Sequence, residues 1–292
     1  MSADASIAVA SDVLARLHGA CGFVFDLDGT LVLGDRSNAG LRPLPGAIDF
    51  TRELTRRGIP FVIFTNGTVR TPGQYAAKLR TLGFPIEEHM MLTPASVAGD
   101  YLARQGLQRV LVFGGEGVTA PLQAAGLTTL LPADARSDVD AIFIGWYREF
   151  GMQDLELACA AAWGGARVFA ASLAPFYATA EGRALGTSRA IAAMITSMTG
   201  RRASVLGKPA LPALRLAARR LGLPCTSLAV VGDDPALEVP MAHRGKALAI
   251  AVHSGLGGAQ AFDALPEAGR PHLAVRDIAQ LQAIYGQCCG QG

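Results

Sequence analysis

Two carboxylates one residue apart, Asp26 and Asp28, stand in the run Phe25-Asp26-Leu27-Asp28-Gly29-Thr30-Leu31, where an apolar stretch stops and a Gly-Thr turn begins. Such a turn exposes backbone N–H groups. Carboxylates this close at a strand end repel each other, and a cation or a shared proton relieves the repulsion. Ligands of α/β proteins bind at the carboxyl ends of strands, so the pair reads as a site; in isolation it reads equally as a solvated strand-to-turn junction, where Asp and Gly are common. Three further segments have the same character. Phe64-Thr65-Asn66-Gly67-Thr68 places a hydroxyl and several backbone donors where a phosphate oxygen can be bound, although Asn-Gly also suits an ordinary turn. Lys208, between Gly207 and Pro209, is a cation in a rigid setting or a surface lysine capping the next helix. Gly232-Asp233-Asp234-Pro235 again puts acids at a strand terminus, and Glu238 follows in what should be the first turn of a helix, where acids also serve simple capping.

The elements that must position these groups are legible as short apolar runs alternating with helix-like stretches, the pattern of a parallel sheet covered by helices. The sequence predicts an α/β fold with strands at Gly22–Phe25, Pro60–Thr65, Arg109–Phe113, Ala141–Gly145, Arg167–Ala171, Ser227–Val231 and Ala247–Val252, each short and rich in Val, Ile or Phe. Pro45 is expected to open a helix that Gly58 closes, and Thr93-Pro94 to cap and start another ending near Gly106. A domain-sized stretch with its own strand and helix signals separates the second motif from the third. We therefore expect residues 1–89 and 204–292 to form one domain and residues 90–203 a second α/β domain inserted into it.

Of 292 residues, 50% are hydrophobic and 17% charged, which excludes disorder, and the net charge of +2 comes from dispersed residues. No basic tract suited to nucleic acid stands out. The first residues carry Asp4 and Asp12 and show neither a positive leader nor an unbroken apolar run, so the expectation is a cytoplasmic protein without a membrane anchor. The five cysteines lack zinc-site spacing and the density of a disulfide scaffold. Cys21 and Cys159 read as buried small apolar residues, and the tail pair Cys288 and Cys289 as free thiols.

The ordered set of DxDGTL, a strand-terminal Thr, GKP and GDxxxxE resembles the haloacid dehalogenase superfamily over nearly the whole chain. Within it the chain is similar to the NagD-like, p-nitrophenylphosphatase-like subgroup (subfamily IIA), to which Leu44-Pro45-Gly46-Ala47, Thr65-Asn66-Gly67, Gly114-Gly115-Glu116-Gly117, Gly145-Trp146-Tyr147-Arg148-Glu149-Phe150 and Gly207-Lys208-Pro209 have counterparts. The resemblance implies a Rossmann-like parallel-sheet core with an inserted α/β cap of the C2 type, and a Mg²⁺-dependent phosphatase acting on a small-molecule phosphate monoester. It implies Asp26 as nucleophile and Asp28 as general acid and base. Mg²⁺ would be held by Asp26, the main-chain carbonyl of Asp28 and Asp233, while Thr65 and Lys208 would stabilise the phosphoryl oxygens. Glu238 stands where the family has Asp; its extra methylene is expected to displace a hydrogen bond to a metal-bound water, with Asp234 as the group that would compensate.

The same resemblance leaves substrate contacts to the cap and to the second motif: Asn66, Gly67, Trp146, Tyr147 and Tyr177. Where NagD-like relatives carry a polar loop, this chain reads Ser172-Leu173-Ala174-Pro175-Phe176-Tyr177, which implies a less polar leaving group than a nucleotide or sugar, or simply cap packing. Asp28 argues against a dehalogenase, whose halide needs no protonation, and the implied cap argues against a phosphomutase. A phospho-ligand-binding protein of the same fold without turnover is the alternative that Glu238 motivates. His243 and His253 read as structural, and the Ala- and Met-rich face of Ser188–Thr199 is a candidate for a homodimer contact.

Overall fold

The computed structural model describes residues 10–34, 40–134, 138–179, 182–255 and 258–287; Cys288 and Cys289 lie outside the described residues. The fold is α/β, with two sheets whose strand pairs are all parallel. In the six-stranded sheet the order is Leu273–Val275, Leu248–Val252, Leu228–Gly232, Gly22–Asp26, Phe61–Phe64 and Met91–Leu92. In the five-stranded sheet it is Ser204–Val205, Arg167–Ala170, Ala141–Ile144, Arg109–Phe113 and Thr128–Leu130. All seven expected strands form, within a residue or two of their expected ends. The additional strands of both sheets are two or three residues long, too short to display a period.

Alternation of side chains across the first sheet sets two cores. Phe23, Phe25, Phe61 and Ile63 face one side, where helices Ala47–Arg56, Pro72–Thr81 and Ile278–Gln287 cover them. Ring contacts there include Phe23–Phe50 at 5.6 Å and Phe50–Tyr285 at 5.7 Å. Val24, Val62 and Phe64 face the other side, and this core runs through helices Pro94–Arg104 and Leu211–Leu221 to Val110, Val112, Phe143 and Phe169 of the second sheet. The far face of the second sheet is covered by Met152–Trp163 and Thr187–Thr199.

Local signals decide most helix ends. Thr93 Oγ1 accepts the Ser96 N–H at 3.3 Å, as its position before Pro94 leads one to expect. Gly58, at φ +66°, follows the helix Ala47–Arg56. Pro45 does not open that helix: its carbonyl accepts the Ala279 N–H at 3.2 Å and Gly46 takes the left-handed turn at φ +78°. A Cβ on Gly46 would lie 2.4 Å from Ala279 backbone atoms, so no other residue fits. Cys159 is buried as expected, but Cys21 is exposed because it precedes the strand at the open end of the sheet.

The three histidines of the C-terminal half make structural contacts. His243 Nε2 lies 2.8 Å from the Arg270 carbonyl, and the His253 ring packs against Phe262. His272 Nδ1 accepts the Ala249 N–H at 2.9 Å, which requires an unprotonated nitrogen. Burial, with the charge of Arg16 and the His243 imidazole, pushes His272 from 6.5 down to about 4. The unfolded chain therefore takes up this proton at a higher pH than the folded one. Stability from His272 should be complete above pH 6.5 and decline as pH falls towards about 4. Chemical denaturation across that range should show a flatter decline in His272→Asn than in the wild type; identical slopes would remove His272 from the account.

Candidate active site

Strand register brings three of the four motifs together. Asp26 pairs across the sheet with Phe64, which places Thr65 beside it, and Phe25 pairs with Val231, which places Gly232-Asp233 on the other side. The fourth group arrives from the second sheet: Ser204–Val205 ends in Leu206 and Gly207, whose N–H groups bond to the carbonyls of Ala170 and Ala171, and Lys208 follows. Asn66 fastens it there. Its Nδ2 donates to the Lys208 carbonyl at 3.1 Å and its Oδ1 accepts the Lys208 N–H at 2.8 Å.

Lys208 is 2% exposed, not a surface lysine. Its ammonium donates to Asp26 Oδ1 and forms an ion pair with Glu238 Oε1 at 2.6 Å. Burial opposes its charge, but the two carboxylates outweigh that and hold it protonated above the ordinary lysine range. Burial, with the nearby charge of Asp26, raises the Glu238 carboxyl above the usual range. The other oxygen of Asp26 accepts from Thr30 Oγ1 at 3.2 Å, and the same hydroxyl lies 3.5 Å from Asp233 Oδ1. Asp26 thus faces a cation on one side and a second carboxylate, joined through one hydroxyl, on the other.

Asp28 lies a short step away, bonded by Thr65 Oγ1 to its Oδ2 at 3.1 Å. Asp28 is exposed at the surface of the site, yet desolvation of its carboxyl by the groups packed around it, with the charge of Asp26, raises it above the usual range to about 6, against the pull of Thr65, Lys208 and Arg70. Proton exchange near neutral pH is therefore open to it. Thr65 Oγ1 also accepts the Gly67 N–H at 3.0 Å, and a Cβ on Gly67 would stand 2.4 Å from Tyr75 Oη, so the turn needs glycine.

Asp233 is wedged between backbones. A Cβ on Gly29 would be 2.4 Å, and one on Gly255 1.8 Å, from Asp233 Oδ2. Ser254 Oγ donates to the Gly29 carbonyl at 2.8 Å and so ties the two loops that flank Asp233. Neither Pro235 nor Asp234 starts a helix: the helix is Glu238–Gly245, and Asp234 Oδ1 accepts the Ala236 N–H at 2.7 Å in a local turn. Glu238 reaches back from the helix start, where its Oε2 accepts the Asp234 N–H at 3.1 Å. One carboxylate thus serves both Lys208 and that N–H.

The donor set fits a hard cation. Asp26 and Asp233 present carboxylate oxygens to a shared neighbour, and the Asp28 carbonyl belongs to the intervening turn. Among the described residues no three His, Cys, Asp or Glu side chains form a ready cage. Two carboxylates, one main-chain carbonyl and waters are the kind of partial set that magnesium accepts.

Of the cap residues, Trp146 and Tyr147 follow the strand Ala141–Ile144; both are half-buried, and the Tyr147 ring packs on Phe113 at 6.0 Å. The segment from Phe176 forms a hairpin, Phe176–Thr179 with Gly182–Leu185, instead of an open loop. Tyr177 falls in its first strand, and its side chain lies outside what the structure describes. Sequence reasoning missed Thr30, Ser254 and Gly255, which hold the carboxylates in place. The Gly-Thr after Asp28 was a signal for the first; nothing local to Ser254 or Gly255 announces their partners.

The haloacid dehalogenase-like hydrolase pattern matches residues 23–128, and a HAD-hydrolase-like pattern matches residues 205–281. The chain belongs to the haloacid dehalogenase-like hydrolases, in their NagD-like phosphatase branch. It is 27% identical over 236 residues to the 5'-nucleotidase YutF of Bacillus subtilis, covering 80% of this chain and 88% of that one. The crystal structure of glycerol phosphate phosphatase Rv1692 from Mycobacterium tuberculosis in complex with magnesium is 27% identical, with a TM-score of 0.79 over 91% of this chain and 77% of that one. NagD from E. coli K-12 shares the fold at 23% identity, with a TM-score of 0.77 over 89% of this chain and 97% of that one. The family and fold expected from the motifs are thus borne out.

Proposed function

We propose that this chain, a hydrolase of phosphate monoesters, acts on a small-molecule ester through an aspartyl phosphate on Asp26, with Mg²⁺ bound beside it. The observation that carries this reading is the setting of Asp26: a buried carboxylate between the Lys208 ammonium and the Asp233 carboxylate, at the end of a parallel strand. Asp26, the Asp28 carbonyl and Asp233 would hold the metal, whose charge would let an anionic nucleophile meet an anionic substrate.

Asp26 attacks phosphorus; the new bond to its carboxylate oxygen forms as the bond to the ester oxygen breaks, and Asp28 gives its proton to the departing alcohol. Water then attacks phosphorus, its proton returns to Asp28, and Asp26 leaves as carboxylate. Thr65 and Lys208 bind the phosphoryl oxygens, so charge that moves onto them meets donors already in place. Glu238 holds Lys208 for this work, and Asn66 holds its backbone.

Residues 90–203, less the strand Met91–Leu92 that pairs in the six-stranded sheet and together with Ser204–Val205 that pairs in the five-stranded one, act as the cap, covering the site and selecting the leaving group, with Trp146, Tyr147 and Tyr177 as its candidate contacts and Gly67 as the candidate on the core side. Similar proteins include a 5'-nucleotidase, a dihydroxyacetone phosphatase and a glycerol phosphate phosphatase; the apolar cap segment from Leu173 to Phe176 favours a less polar alcohol here. A cytoplasmic setting completes the proposal; among the described residues no helix is long and apolar enough to cross a membrane.

Phosphate release from an aryl phosphate and a set of metabolite monoesters, with Mg²⁺ or with EDTA, tests the reading. Turnover that EDTA removes and Mg²⁺ restores is the expected result. A folded protein that binds phosphate esters and releases no phosphate from any of them would favour the binding-protein alternative, with Glu238 as the residue to suspect.

A further inference from the structure

Thr68 belongs to the loop that carries Thr65, yet its surroundings belong to the second sheet. It is 3% exposed. The Trp146 N–H donates to Thr68 Oγ1 at 2.8 Å, and Ser188 Oγ, from the helix Thr187–Thr199, donates to the Gly145 carbonyl at 2.9 Å. These two bonds grip opposite ends of one peptide unit, Gly145–Trp146, at the carboxyl end of the strand Ala141–Ile144. The fit is close on all sides. A Cβ on Gly117 would lie 2.4 Å from the Thr68 carbonyl, and one on Gly145 would lie 3.0 Å from Thr68 Oγ1. Glycine at Gly117 lets the helix Glu116–Ala124 close on the Thr68 backbone, and glycine at Gly145 leaves room beside the Thr68 hydroxyl.

On the other side, Thr68 is three residues from Thr65, whose hydroxyl bonds Asp28 and accepts the Gly67 N–H. The loop between them is short and its turn is fixed by Tyr75 beneath Gly67. A displacement of the Gly145–Trp146 peptide is therefore transmitted to the groups around Asp28, and the reverse. Trp146 and Tyr147 leave the pinned peptide directly, so their placement depends on it.

We propose that Thr68 is a positioning residue for the reaction: its hydroxyl pins the Gly145–Trp146 peptide of the cap to the phosphate-binding loop, and thereby sets how the cap meets the leaving group. The proposal rests on the phosphatase reading above. Thr68 acts through Thr65 and Trp146 and need not touch the ester.

Thr68→Val keeps the shape and deletes the acceptor, leaving the Trp146 N–H without its bond. The expected result is a fall of about tenfold in kcat/KM for an aryl phosphate. Acetyl phosphate, an acyl phosphate with a far smaller leaving group for the cap to meet, should change by less than about twofold, and Thr68→Ser should restore the aryl phosphate value to a similar margin. A second readout does not require turnover. The chain has two tryptophans, so in a Trp163→Phe background the fluorescence comes from Trp146 alone. Acrylamide quenching of Trp146 should rise in Thr68→Val and return to normal in Thr68→Ser. If Thr68→Val does not fold, Ser188→Ala releases the other end of the same peptide and should give the same selective loss and the same rise in quenching. Unchanged quenching overturns the proposal, as does equal loss on both substrates or a Thr68→Ser as poor as Thr68→Val. Should the wild type release phosphate from neither substrate, the phosphatase reading fails, and the quenching result alone decides whether the pin exists.

Discussion

Asp26→Asn is expected to fold and to lose turnover by on the order of 10⁴-fold or more, the scale seen when a catalytic nucleophile is removed. The amide has nearly the shape of the carboxylate but cannot attack phosphorus. The fold should survive because the cation it abandons is not stranded: Lys208 keeps Glu238 at 2.6 Å. The amide oxygen can still accept from Lys208 at the position of Asp26 Oδ1, while its NH2, at the position of Oδ2, can donate to Thr30 Oγ1. Phosphate release and thermal unfolding of the purified variant check the two halves of this expectation. An unfolded variant would mean that the Asp26–Lys208 pair is needed for structure, and a variant that turns over would remove Asp26 from the chemistry.

Lys208→Met should do damage of a different kind. Methionine matches the length of the side chain and removes the charge, which leaves Asp26 and Glu238 buried and facing one another without a cation. Breaking a buried ion pair by removing one partner costs about 3–5 kcal/mol, because the remaining charge is uncompensated. Here two carboxylates are left, at 6% and 1% exposure. Turnover should also fall by about 10²–10³-fold, the cost of losing a donor aimed at developing charge. Glu238→Gln added to Lys208→Met should recover part of the stability and none of the turnover, since it removes one stranded charge without supplying a donor to the phosphoryl group. Denaturant unfolding and phosphate release on the single and double variants separate the two effects. If the double variant is no more stable than the single one, the ion pair is not what holds this part of the core.

The extent to which the sequence discloses this protein follows the range of each interaction. Strands such as Leu228–Gly232 are visible because a buried parallel strand needs an unbroken apolar run. The acids after them are visible because they sit where such runs stop. Met91–Leu92 and Ser204–Val205 carry no such signal: two residues cannot display a period, and they pair only because a longer neighbour is already in place. Glu238 stands in the first turn of its helix as expected, but that helix begins three residues after Pro235 because Asp234 forms its own turn with Ala236, a local bond that competes with helix.

The site divides in the same way. Asp26, Asp28, Thr65, Lys208 and Asp233 announce themselves by type and place, and the structure assembles them at one end of the sheet. Thr30 stands next to Asp28's turn, but its partner Asp233 is 203 residues away. Asn66 suggests a turn and a substrate contact, whereas both ends of its amide are taken by the Lys208 backbone, 142 residues on. Glu238 is legible as an acid, and only the fold shows that it pairs with Lys208. Bonds that join distant loops leave no trace in local spacing.

The most direct test of the central claim is to look for the phosphoryl group on the enzyme. Wild-type protein mixed with excess aryl phosphate and Mg²⁺, quenched in acid within the first turnovers and digested, should yield a phosphorylated peptide containing Asp26. The adduct should be labile to hydroxylamine, as an acyl phosphate is, and absent from Asp26→Asn. Phosphate released at the full wild-type rate with no adduct on that peptide at any quench time, or an adduct on another residue, would contradict the account.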